Sequence, residues 1–341
     1  MSEKAVVATF DEIRALMKEL PGPDIKAGAQ ATARQAQLTK PAGSLGRLEE
    51  IAGWLATWQG RHPAAVERPY TAVFAANHGI AARGVSAYPA EVTKQMVANF
   101  IHGGAAVNQL CALGDADLRV YEMALDEPTA DFSETPAMSE EDCVRAMAYG
   151  MMAVEEGIDV LALGEMGIGN TTSAAALCTA LFGETAADWT GRGTGIDDPT
   201  LARKVELIDV SVARHREIMT DPLEILRCLG GLELAAIAGA VLAARLARTP
   251  VLLDGFACTA AAAVLYAIDS RALDHCMVAH LSVEPGHKRL LDTIGQRALV
   301  DFGMRLGEGS GASLAILVMK AACACHSGMA TFDEAGVSGP A

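Results

Sequence analysis

The stretch Asp159-Val160-Leu161-Ala162-Leu163-Gly164-Glu165-Met166-Gly167-Ile168-Gly169-Asn170-Thr171-Thr172 decides the fold. A short apolar run passes into a glycine-rich turn, and an alanine-rich helical segment, Thr172 to Phe182, follows. A strand buried on both faces reads as a near-continuous apolar run, and a run this short between turn residues reads as a strand. The same pattern recurs along the chain. Further strands are expected at 69–76, Leu118 to Met123, Val251 to Asp254 and Met277 to Leu281. Helices are expected between them. They are Pro89 or Ala90 to Ile101, Glu140 to Glu155 (Ser139 through Asp142 matches a capping box), Pro199 to Thr220, Leu232 to Leu246 and Cys258 to Ala267. Alternating strands and helices predict an α/β fold, a parallel Rossmann-like sheet with helices on both faces.

The chain ends lack such strands. Phe10 to Leu20 is amphipathic and stops at Pro21-Gly22-Pro23, and a second helix covers Ala27 to Gln37. Ser44, after the Pro41-Ala42-Gly43 turn, can cap a third helix running to Gln59. These segments and the C-terminal helices are expected to form a smaller helical layer or domain. Expected boundaries are 1–65 for the N-terminal helical segment, 66–300 for the large α/β domain with the site, and 301–341 for the C-terminal segment that completes the small domain. Helices rich in small residues, Leu232 to Leu246 and Ala321 to Ala324, predict close helix packing and a subunit interface.

The 341 residues carry a formal net charge of -15, with 51% hydrophobic and 20% charged residues. That composition builds a large core and argues against nucleic acid or an anionic membrane as partner, since phosphate contacts need clustered Lys and Arg. It leaves room for a small anion held by backbone N–H groups. The eight cysteines are scattered, several in alanine-rich helical patterns, and read as reduced thiols of a cytoplasmic protein. No signal peptide is visible in Met1 to Phe10. The longest charge-free apolar run, Gly255 to Ile268, falls short of the ~20 residues that span a bilayer, so no membrane span is expected.

Three glycine-rich stretches carry the chemistry. The turn after Leu163 offers N–H groups and hydroxyls at a helix N-terminus, which suits a phosphate; Asn170 and the threonines could equally be plain helix caps. Its spacing matches neither the dinucleotide fingerprint nor the P-loop. The second stretch, Thr190-Gly191-Arg192-Gly193-Thr194-Gly195-Ile196-Asp197-Asp198, is an anion nest or a mobile loop, followed by a helix capped by Asp197 or Asp198. Lys204 lies in that helix and by itself reads as solvated. The third, Gly303 to Ser313, displays one carboxylate, Glu308, between Gly307 and Gly309 at the mouth of an apolar helix. Such a carboxylate is either a general base or a complement to the helix dipole. Ser282 follows the last expected strand and can cap a helix beginning near Pro285. His275, Cys276 and His280, or Cys323, Cys325 and His326, lack the paired spacing of a zinc site, so no metal is expected. No Gly-x-Ser-x-Gly elbow is present.

Taken together, seven pieces resemble the nicotinate-nucleotide:dimethylbenzimidazole phosphoribosyltransferase family. They are Leu38 to Glu49, His78-Gly79, Glu91-Val92-Thr93, Gly164 to Thr172, Leu252 to Phe256, His280-Leu281-Ser282 and Met304 to Ala312, in the family's order. The resemblance implies a homodimer that moves phosphoribose from β-nicotinate mononucleotide to an aromatic base, without metal or redox cofactor. It implies catalytic roles for Glu308 (the base), Glu165 and Lys204. It places Gly167, Gly169, Asn170, Thr171, Thr172, Gly193, Ser282, Gly307 and Gly309 around the nucleotide, and Tyr88, Val92, Met96 and Leu306 around the acceptor. The chain departs from the family at Asn77, where Asp is usual, and at Tyr88 and Met96, which align with Ser and Gln. Those two changes make the acceptor pocket more apolar and leave adenine or a phenol as alternatives to a benzimidazole. A catalytically silent nucleotide-binding subunit and a nucleosidase are the competing readings.

Overall fold

The computed structural model describes residues 9–339, so most of the segment read for a signal peptide lies outside the described residues. Six strands form one wholly parallel sheet in the order β2-β1-β3-β4-β5-β6. They are β1 (Pro69–Ala75), β2 (Asp117–Glu122), β3 (Val160–Met166), β4 (Val251–Leu253), β5 (Cys276–His280) and β6 (Ala298–Val300). The chain steps from β1 outward to β2, then crosses back over β1 to β3. The strand order therefore reverses at the β1/β3 pair, and the crevice outside the carboxyl ends of such strands is where open sheets bind ligands. The α/β reading of the sequence holds. β1, β3, β4 and β5 are buried along their length, apart from half-buried Glu165, as expected for a sheet covered on both faces. β6 escaped the sequence reading because its apolar run is only three residues long and half-buried.

Before β1 run α1 (Phe10–Met17), α2 (Ile25–Gln35) and α3 (Arg47–Gln59); between β1 and β2 run α4 (Glu91–Ile101) and α5 (Ala106–Gly114). Then come α6 (Glu140–Met151), α7 (Asn170–Phe182), α8 (Ala186–Trp189), α9 (Asp198–His215), α10 (Pro222–Leu229) and α11 (Leu232–Ala247). The remainder are α12 (Phe256–Ile268), α13 (Pro285–Ile294), α14 (Ser310–Gly328) and α15 (Phe332–Ala335). Ser139 caps α6 by accepting the Asp142 N–H at 3.0 Å, and Asp197 caps α9 through Thr200. Two expected caps fail. α3 begins after Gly46 with no side-chain cap, so Ser44 does not serve it, and Ser282 stands before Glu284, the residue preceding α13.

On one sheet face, α11 and α12 pack on the strands and join α1, α6, α7 and α10 in a single hydrophobic core. The other face takes α14 and α3, which bring Ala315, Ile316, Met319, Ile51 and Leu55 against Val160, Ala162, Leu252 and Ala279. An antiparallel bridge, Leu38 to Thr331, ties the two chain ends together. The close packing expected of α11 is present: a Cβ on Gly150 would stand 1.8 Å from the Ala236 carbonyl oxygen, and one on Gly239 would stand 2.0 Å from that of Met147. That packing is internal. α11 is buried within its own chain along nearly all its length, which leaves no face for a partner. α14 is long and apolar enough to cross a membrane, with a mean hydropathy of 1.3, but half of that window is buried against the sheet and α3.

Candidate active site

The carboxyl edge of the sheet opens into a cavity of about 670 Å³. Segments following five strands line it: Val85 to Met96 after β1, Glu165 to Thr171 at the end of β3, Gly255 to Ala257 after β4, His280 to Glu284 after β5, and Arg305 to Glu308 after β6. Its lining mixes apolar side chains, Tyr88, Val92, Met96 and Leu306, with glycines and polar residues, Gly167, Gly169, Asn170, Thr171, Gly193, Thr194 and Ser282.

Glu308 sits at the joint between the Gly303 to Gly309 loop and α14. Its φ is +62°, flanked by +77° at Gly307 and +75° at Gly309. Three successive left-handed residues are what the glycines are for. A non-glycine residue held there stores on the order of 1–3 kcal/mol, a cost found mostly where function requires the geometry. The loop is pressed onto β3, where a Cβ on Gly164 would lie 2.4 Å from the Gly309 nitrogen and 2.5 Å from its Cα. Glu308 itself is 7% exposed, and burial, then the nearby charge of Asp254, pushes its carboxyl up to about 7.

Glu165 is the penultimate residue of β3 rather than part of the turn after it. Its carboxylate accepts the Asn170 side-chain amide. Burial pushes the Glu165 carboxyl well above the usual range, and the charges of Asp254, Glu233 and Glu308 add to that. Asn170 therefore does not cap α7; Gly169, with a φ of +98°, takes the N-cap position without a side chain.

Three of the residues expected at the site stand behind its wall. Thr172 is fully buried, and Gly309 faces β3. Lys204 is 1% exposed, which overturns its reading as a solvated side chain. Its ammonium donates to Thr171 Oγ1 at 2.9 Å and to the Gly191 carbonyl at 3.2 Å, so it clamps the β3–α7 turn to the loop before α9. Burial lowers its pKa to about 8, against the pull of Glu284. The nest reading of that loop also changes. The Gly193 N–H donates to Glu284 Oε1 at 2.8 Å and is taken.

A phosphoribosyltransferase family profile matches residues 20–337. The chain is 58% identical over 328 residues to the nicotinate-nucleotide–dimethylbenzimidazole phosphoribosyltransferase of Agrobacterium fabrum, covering 96% of this chain and 95% of that protein. The chain belongs to the nicotinate-nucleotide–dimethylbenzimidazole phosphoribosyltransferase family. The Brucella canis protein of the same name is 55% identical over 329 residues, 96% of this chain and 97% of its own. The crystal structure of the Thermus thermophilus phosphoribosyltransferase of that name superposes with a TM-score of 0.86 at 42% identity, covering 93% of this chain and all (100%) of that one.

Within this phosphoribosyltransferase fold, sequence reading missed several residues of the site. Glu284 holds the Gly193 loop, Arg305 reaches across the mouth to donate to the Gly193 carbonyl at 3.2 Å, and Phe256 supplies an aromatic wall. His78 and Glu233 form a fully buried pair at 2.6 Å behind the Gly167 turn, and Ser173 meets the other ring nitrogen at 3.1 Å. His78 was legible in the His-Gly motif, but Glu233 lies 155 residues away and gave no signal. Asn77 donates to the Leu125 carbonyl at 2.8 Å and faces away from the cavity. Among the described residues no group of three or more His, Cys, Asp or Glu side chains is arranged to hold a metal ion. His275 is spent on the Val241 carbonyl, and His326 pairs with His62. All eight cysteines are free, and only Cys325 is not fully buried.

Proposed function

We propose that this enzyme transfers 5-phosphoribose from β-nicotinate mononucleotide to a benzimidazole-type base, giving an α-ribazole phosphate and nicotinate for a cobamide lower ligand. The observation that carries the reading is the buried Glu308 carboxyl, pushed up to about 7, in the lining of a cavity that also presents apolar side chains and glycine-rich turns. A general base works best when its pKa lies near the working pH. Benzimidazole has one N–H and one basic ring nitrogen. Glu308 takes the N–H proton, and the other nitrogen attacks C1′ from the face opposite nicotinate, inverting β to α in one displacement. The departing pyridinium becomes neutral, so no general acid is needed.

The crowding of Glu308, Glu165, Asp254 and Glu233 fits this chemistry. After burial, the charges of Asp254, Glu233 and Glu308 raise the Glu165 carboxyl and that of Asp254 raises Glu308, and an arriving cation relieves both. The mononucleotide brings a pyridinium charge, and an oxocarbenium-like transition state moves that charge to the ribose. Glu165 then stabilises positive charge in a site where water is scarce. Lys204 acts by holding Thr171 and the Gly191 loop, and the N–H groups of the turn after β3 receive the phosphate. Tyr88, Val92, Met96 and Leu306 make an apolar slot for a flat ring, which favours a dimethyl-substituted benzimidazole over adenine, whose polar edge would lose hydrogen bonds there. We further propose that the protein acts as a homodimer in the cytoplasm, with residues 1–65 and 301–341 working as one small helical unit.

The direct test is incubation with nicotinate mononucleotide and 5,6-dimethylbenzimidazole, following free nicotinate and the anomeric configuration of the product. Tight binding without release, across several azole bases, would instead identify a silent nucleotide-binding subunit.

A further inference from the structure

α14 begins without a cap of its own. Its N-cap, Gly309, has no side chain, and the residue before it, Glu308, points its carboxylate at the cavity. The first N–H groups of a helix require acceptors, normally a Ser, Thr, Asp or Asn at the N-cap. None fits here. The backbone at Gly309 is left-handed, and it is packed on Gly164 of β3. The acceptor comes from another strand. Asp254, the residue after β4, accepts the Gly309 N–H with Oδ2 at 3.1 Å and the Ala312 N–H with Oδ1 at 2.8 Å.

Asp254 is itself fixed. It is fully buried, its N–H donates to the Leu163 carbonyl at 3.2 Å, and its carbonyl accepts the His280 N–H at 3.5 Å. His280 Nδ1 stands 3.5 Å from Oδ1. That ring is wedged against the first turn of α14, where a Cβ on Gly311 would meet Nδ1 at 1.9 Å. Asp254 does not line the cavity, although the next two residues, Gly255 and Phe256, do.

We propose that Asp254 is the positioning residue for Glu308. Its carboxylate holds the amides of Gly309 and Ala312, and so fixes the left-handed backbone that aims the Glu308 side chain into the cavity. A cap supplied from β4 couples the general base to the rigid centre of the sheet, and leaves the N-cap free to be glycine. The role rests on the proposed base chemistry of Glu308 only for its consequence in turnover; the mechanical link stands without it. The titratable groups that act on Glu308 are Asp254 after β4 and Glu165 on β3; behind them, His280 on β5 stands against Asp254, Glu233 on α11 acts on Glu165, and Cys258 on α12 lies beside Asp254 and Glu165.

The test is Asp254→Asn, which keeps the shape but removes the charge and turns one acceptor into a donor against an N–H. Turnover of nicotinate mononucleotide with dimethylbenzimidazole should fall about 10- to 100-fold in kcat, the scale of a misplaced catalytic group. KM for the mononucleotide should change by less than about threefold, because ground-state binding is not what is removed. The Glu308 carboxyl, followed by carbon NMR without substrate, should titrate at lower pH than in the parent. A kcat loss matched by an equal rise in KM, or a Glu308 titration that does not move, overturns the proposal. Two measurements separate it from the base chemistry. Full activity of Glu308→Gln would remove the base role, while the Glu308 titration would still test Asp254. Amide exchange on the unmodified protein needs no variant: Gly309 and Ala312 should exchange slowly, and exchange as fast as exposed loop amides overturns the link even where Asp254→Asn does not fold.

Discussion

The Glu308 amide donates to the Glu165 carbonyl at 3.2 Å, so the two cavity carboxylates are carried on backbones joined by one hydrogen bond. That bond is made where the C-terminal loop is pressed onto β3, and it fixes the spacing of the two carboxylates on which the proposed reaction depends.

The contact leaves no room for a methyl group. In Gly164→Ala the new Cβ would sit 2.4 Å from the Gly309 nitrogen, against backbone that cannot rotate away. Overpacking of this kind costs about 1–3 kcal/mol. Chemical denaturation should show that loss, and turnover should fall further than stability because the displaced atoms carry Glu308.

Glu308→Gln removes the proton acceptor while keeping size and shape. We expect normal folding by circular dichroism and a rate loss of about 10²- to 10⁴-fold in steady-state release of nicotinate, the range for a general base. Near-normal turnover would take Glu308 out of that role.

The pH dependence follows from the direction of the Glu308 shift. The proposed mechanism uses the base form, so it predicts that kcat/KM rises with pH through about 7 and levels off above it. Stability runs the other way. A folded-state pKa raised from the ordinary 4.5 to about 7 means the fold prefers the protonated carboxyl. Its contribution is complete below the unfolded value and is lost as pH rises through the folded one. Urea titrations between roughly pH 5 and pH 8 should therefore show a smaller decline for Glu308→Gln than for the parent.

Lys204 bridges two loops from behind the cavity wall. Lys204→Met retains the buried stem and deletes bonds to Thr171 and Gly191. Losing one to two such bonds is worth about 1–2 kcal/mol. Because the loops they join carry Thr171 and Gly193 into the cavity lining, where the phosphate is proposed to bind, the loss should appear as a rise of roughly tenfold in KM for the mononucleotide, one decade per ~1.4 kcal/mol. An unchanged KM with a depressed kcat would assign Lys204 to the chemical step instead.

The His78–Glu233 pair supports the Gly167 turn from beneath, with both side chains fully buried. Removing one partner leaves a buried polar group without its hydrogen bond, at a cost of ~1–3 kcal/mol. His78→Leu should lower the thermal midpoint sharply, and Glu233→Gln, which can still bond the ring, should lower it less.

Local pattern made much of this legible from sequence. The apolar runs at 69–76 and Asp159 to Leu163 became β1 and β3, with ends that differ by at most three residues, because burial on both faces writes itself into consecutive residues. The glycines around Glu308 marked a backbone that side chains cannot follow. α5 and α10 were passed over, being short segments of nine and eight residues beside stronger signals.

The amino-acid sequence by itself determined the alternation of strand and helix, the carboxylate stranded among glycines and the family to which the chain belongs. Each is read from short windows of neighbouring residues, taken in order along the chain. Tertiary structure alone decided which groups are free to act. It turned Lys204 inward, gave the Gly193 N–H to Glu284, and set Asp254 as the cap of a helix whose N-cap lies 55 residues later. Those assignments depend on which buried donor finds which acceptor once water is gone, and a buried polar group takes whatever partner packing brings within reach, however distant in sequence.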